Sequence, residues 1–65
     1  MSAAKQEAAT LIAQAEEKSE RAHYKLQFLN IEGNFVRDEI YEAWDELQTA
    51  AKLLQSAAQH LGFTI

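Results

Sequence analysis

The stretch from Val36 to Leu61 reads VRDEIYEAWDELQTAAKLLQSAAQHL. Its apolar residues fall at Val36, Ile40, Ala43, Leu47, Ala50, Leu54, Ala57 and Leu61. The steps alternate four and three without a break, which is the spacing of a helical heptad seam. One column of the seam is large: Ile40, Leu47, Leu54 and Leu61. The other is small: Val36, Ala43, Ala50 and Ala57. Trp44, Ala51 and Ala58 stand one place beyond the small column. They widen the stripe to three positions in seven, the width expected inside a helix bundle.

The preceding half of the chain repeats the device in Ala8, Ile12, Ala15, Ser19, Ala22, Leu26 and Leu29. Its small column, Ala8, Ala15 and Ala22, keeps a spacing of seven, and Ala4, Ala9 and Leu11 widen its start. Gly33 separates the two periodic stretches and Gly62 follows the second. Proline is absent, and the residues between the glycines are mostly strong helix formers. The pattern predicts an all-α fold: an antiparallel helical hairpin with helices over about 3–31 and 35–61. A turn at 32–34 and a short tail at 62–65 complete a single domain over 1–65. Each helix would be about 40 Å long at 1.5 Å per residue.

The ends carry their own signals. Ser2 is placed to cap the first helix, and Gly33 suits the left-handed position that closes it. Asn34 is placed to cap the second helix, with Asp38 and Glu39 opposing its dipole in the first turns. Gly62 repeats the role of Gly33, and Phe63 stands where a Schellman motif makes its apolar contact. His60 in the last turn complements the dipole.

Composition limits what such a hairpin can be. The chain has 65 residues, of which 48% are hydrophobic, and 12 of these are alanine. Only 19 larger apolar residues remain, too few for one short chain to build an ample core. Two hairpins associating as a homodimeric four-helix bundle would solve this. The expected dimer core is Ala8, Ile12, Ala15, Ala22, Leu26, Leu29, Ile40, Ala43, Trp44, Leu47, Ala50, Leu54, Ala57 and Leu61, with the large residues filling the layers between small ones. The heptads do not choose between parallel and antiparallel docking of the hairpins.

Cysteine is absent, which excludes disulfide staples, thiolate metal sites and thiol catalysis. Six basic residues against ten acidic ones give a formal charge of −4, which argues against general binding to phosphate backbones. Residues 1–7 lack a long apolar run, so neither a secretory signal nor a membrane span is expected, and a cytoplasmic protein is. No Gly-x-Ser-x-Gly or phosphate loop supports an enzyme, and no cofactor is expected. Ser19, within the seam, is expected as a buried hydroxyl bonded back to its own helix.

Four constellations remain. Tyr24, Phe28 and Ile31 lie at i, i+4 and i+7, away from the seam of the first helix. With Phe35 by the turn and Tyr41 on the outer face of the second helix, they make the turn end apolar. Exposed clusters of this kind mark contacts with a protein partner. The alternative cover is the dimer itself: head-to-tail hairpins would bring the tail Gly62-Phe63-Thr64-Ile65 over the cluster. Second, Glu20 and His23 have the Glu-x-x-His spacing of ferritin-like carboxylate sites, with Glu16, Glu39 and Glu42 as further oxygens. Neither Glu20 nor His23 faces the seam, so no metal ligand is assigned, and a carboxylate–histidine metal-binding bundle is the third reading of function. Third, Lys18, Arg21 and Lys25, with Gln14, form a basic stripe crowded by Glu16, Glu17 and Glu20. A bundle of two short hairpins with large and small layers is similar in plan to Rop, the small plasmid RNA-binding regulator. The similarity covers length, topology and core logic, and it implies an RNA-binding hairpin dimer as the alternative function. No RNA-contacting motif of that family can be placed here residue by residue. Glu17 with Arg21 at i, i+4 is also a plain helix-surface pair. Fourth, Asp38, Glu39, Glu42, Asp45 and Glu46 form an acidic face that solubilises the protein or steers a basic partner.

The leading expectation is therefore a non-enzymatic homodimer acting through protein–protein interaction, as a regulator, adaptor or small chaperone-like subunit.

Overall fold

The computed structural model describes residues 2–33 and 35–65, with Glu32 described by its backbone alone. It contains two helices, α1 (Ala3–Glu32) and α2 (Arg37–His60), packed against each other as a hairpin 46 Å long. Ser2 caps α1: its hydroxyl accepts from the Lys5 amide at 3.3 Å. Gly33 closes α1 in the left-handed region at φ 65°, donating its amide to the Leu29 carbonyl at 2.9 Å. A side chain there would meet no steric neighbour but would strain the backbone.

The second helix departs from the expected bounds. It begins two residues later, at Arg37, and its N-cap is Val36 in an extended conformation with no side-chain cap. Asn34, expected to cap it, lies outside the described residues. Asp38 and Glu39 do occupy the first turn, and His60 the last. Gly62 (φ 81°) ends α2 in a Schellman motif. The Phe63 amide donates to the Ala58 carbonyl at 2.8 Å, and the Gly62 amide to Gln59 at 3.1 Å.

The two helices meet along the small columns. Ala8, Ala15, Ala22 and Leu29 of α1 are buried against Ala43, Ala50 and Ala57 of α2, and Ala58 joins them. The large column does not fill layers between the helices, as the sequence pattern led one to expect. Ile12, Leu26, Ile40, Leu47, Leu54 and Leu61 stay 36–46% exposed. The physical reason is that a pair of helices has a single line of contact. Alanines on that line let the backbones approach closely, and larger side chains are displaced to its side. Ser19 shares that displacement: it is exposed, and among the described residues it makes no hydrogen bond back to its own helix. Val36, expected to head the small column, precedes the helix and is 39% exposed.

Among the described residues no helix is long and apolar enough to cross a membrane.

Candidate functional site

The seam divides the hairpin into two unlike flanks. Three residues beyond each seam alanine stand Leu11, Lys18 and Lys25 on α1, and Glu46, Leu53 and His60 on α2. Four residues beyond stand Ile12, Ser19 and Leu26, and Leu47, Leu54 and Leu61. In an antiparallel pair these two sets fall on opposite sides of the contact line, because each helix turns the same way about its own axis.

The first flank is sealed by charge. Lys25 Nζ donates to Glu46 Oε1 at 2.6 Å and lies 3.3 Å from Glu42 Oε2. His60 Nε2 sits 3.3 Å from Glu7 Oε2. The hydrogen bond to Glu46 is the main cause that holds the Lys25 ammonium above its ordinary value of 10.5. Partial desolvation opposes it and Glu42 adds to it. Glu46 Oε2 is buried with no partner among the described residues, so this pair also carries a desolvation cost.

The second flank holds Ile12, Leu26, Ile40, Leu47, Leu54, Leu61 and, at its margin, Trp44, which is 57% exposed. No cross-helix ion pair lies on this side among the described residues. These large side chains line the open flank of the seam along its length.

At the turn end the five aromatic and aliphatic residues expected to bind a partner are all exposed, and four of them border two different grooves. Tyr24 and Phe28 border a groove with Lys25, Glu39 and Glu42, on the charged flank. Phe35 and Tyr41 line a different groove of about 360 Å³ with Arg37, Ile40 and Trp44, continuous with the apolar flank. There Arg37 lies 4.9 Å over the Tyr41 ring, a cation–π contact. Ile31 is exposed and borders neither groove.

The basic stripe is largely spent on carboxylates. Arg21 pairs with Glu17 at 2.9 Å, and Lys25 is held by Glu46 and Glu42. Lys18 has no carboxylate within 4.0 Å among the described residues. The acidic run on α2 is relieved at Glu42 and Glu46 by the same Lys25. Glu20 and His23 are exposed on α1, and the His23 ring tilts against Tyr24 at 6.1 Å. Among the described residues no three His, Asp or Glu side chains gather as a metal site.

Comparison with protein-family models, curated proteins and solved structures returned no match.

The alanine columns of the seam were readable from the sequence and are buried, whereas the pairing of Lys25 with Glu46 and Glu42 was missed. The signal was present: Lys25 and Glu46 each stand three residues beyond a seam alanine, with opposite charge.

Proposed function

We propose that the chain is a non-enzymatic cytoplasmic protein that dimerises into a four-helix bundle and acts by binding another protein, as a regulator, adaptor or small chaperone-like subunit. One observation carries the reading. All cross-helix ion pairs of the described residues lie on one flank of the seam, while the other flank exposes a line of large apolar side chains. The flank runs along a hairpin 46 Å long, and a specific interface needs about 800 Å² per partner. The core of the proposed dimer is the set of large residues on that flank. The turn-end residues Tyr24, Phe28 and Ile31 stand apart from it and are the surface offered to a different protein. The unrelieved charges Asp38, Glu39 and Asp45 would steer a basic partner.

Sedimentation and circular dichroism over a dilution series test the first half. A dimer that loses helicity as it dissociates is expected, and a stable helical monomer at low micromolar concentration would overturn it. Phe28→Asp tests the second half. It is expected to abolish capture of the partner while leaving helicity and dimerisation intact.

A further inference from the structure

The two ends of the hairpin differ in charge and in shape. Residues 20–49, the half toward the turn, hold seven acidic and three basic residues, so they carry the entire net charge of −4. The remaining residues hold three of each. Two hairpins laid flank to flank with their turns together would set the two charged halves side by side. Their spacing would be about that of packed helices, 8–10 Å, comparable to the screening length of about 8 Å in physiological salt. Laid head to tail, each charged half meets a neutral one.

The shapes agree with the charges. The turn end carries the groove between Phe35, Arg37, Ile40, Tyr41 and Trp44. The opposite end carries Phe63, which the Schellman turn projects beyond α2 and leaves 64% exposed. The length of the hairpin separates the two within one chain. The ion pairs set the register, with Lys25 level with Glu46 and Glu7 level with His60, so Ser19 and Ala50 mark its middle. A half-turn about an axis across the helices at that level, between two facing flanks, lays α2 of one copy over α2 of the other in the opposite direction. The second copy's Phe63 then arrives at the level of Phe35 and Tyr41, on the α2 side where the groove lies. Ser19, the single small residue in the large column, falls at the crossing, where the two α1 helices come closest.

Resting on the dimeric reading above, we propose that the second copy docks head to tail and seats its Phe63 in the groove of Phe35, Arg37, Ile40, Tyr41 and Trp44. The aromatic turn end is thereby divided. Phe35 and Tyr41 belong to the dimer, and Tyr24 and Phe28 remain open on the charged flank.

The experiment uses the whole chain. Lys5→Cys introduces the single cysteine, at an exposed site on the tail end, for a spin label. Head-to-tail docking puts the two labels about 45 Å apart, and head-to-head docking under about 25 Å, from the rise of the helices and their packing distance. In parallel, Phe63→Ser is compared with the parent by sedimentation and by emission of Trp44, the only tryptophan. The expected result is the long distance, a red-shifted emission and a dissociation constant raised at least about tenfold by loss of a buried phenylalanine. A dimer with the short distance overturns the head-to-tail arrangement. The long distance with emission and affinity unchanged in Phe63→Ser overturns the seating of Phe63. A monomer at every concentration overturns the dimeric reading itself.

Discussion

Lys25 is the side chain on which the charged flank turns. Its stem leaves α1 beside the seam, and its ammonium reaches Glu46 and Glu42 on α2. Because the folded state holds the Lys25 proton more tightly than the unfolded chain does, its contribution is complete below pH 10.5. That contribution is lost as the pH rises through the higher folded value. Thermal unfolding followed by circular dichroism should therefore show the hairpin losing stability above about pH 10.5. Lys25→Met should show a smaller loss over the same range, and equal losses in the two proteins would refute the role. At Val36 the sequence and the structure part. Asn34 carries the stronger capping chemistry, yet the first helical residue is Arg37 and the cap is a valine without a hydrogen-bonding side chain. Capping propensity names suitable residue types but does not choose among neighbouring positions in a turn. Val36→Ser supplies the missing acceptor and is expected to raise stability by about 0.5–1 kcal/mol in chemical denaturation.

At the scale of the element, the seam was legible because its repeat is strict. Ala8, Ala15 and Ala22, and Ala43, Ala50 and Ala57, are spaced by seven, and all six are buried. What the repeat does not encode is which of the two columns occupies the contact line. Spacing is blind to side-chain size, whereas two backbones approach only over the smaller residues. Ile40, Leu47 and Leu54, read as layer fillers, consequently stand beside the line. The importance of small size has a direct test. Ala50→Leu forces the helices apart or into strained rotamers and should cost about 1–3 kcal/mol in urea unfolding. Ala13→Leu, on an exposed position of α1, should cost almost nothing. Equal effects would mean that the seam tolerates bulk.

At the scale of the whole molecule, the features expected to act together separate. The turn-end residues Tyr24, Phe28, Ile31, Phe35 and Tyr41 looked like one cluster because they are close along the chain. The turn of α2 about its axis carries Tyr41 toward Trp44, while Tyr24 and Phe28 fall beside Lys25 and Glu42. Sequence distance and heptad position put these residues at the turn end, and all five are exposed. Their partition needed the relative placement of two helices, which only the packed structure supplies. The charge halves, by contrast, were countable in the sequence, and they acquired meaning once the hairpin brought residues 20–49 to one end.

The buried set of the described residues is seven alanines and a single leucine, Leu29. A methyl group removes little area from water, so closing one hairpin contributes little against the entropy of ordering its residues. Large apolar side chains that could offset that entropy stay exposed, several of them along the open flank. In the proposed dimer, folding and association would become one event, and the law of mass action would govern both. The amount of working protein would then rise faster than in proportion to the amount synthesised, and below a threshold of expression most chains would be unstructured and open to proteolysis. A dimer built this way would respond to its own dosage.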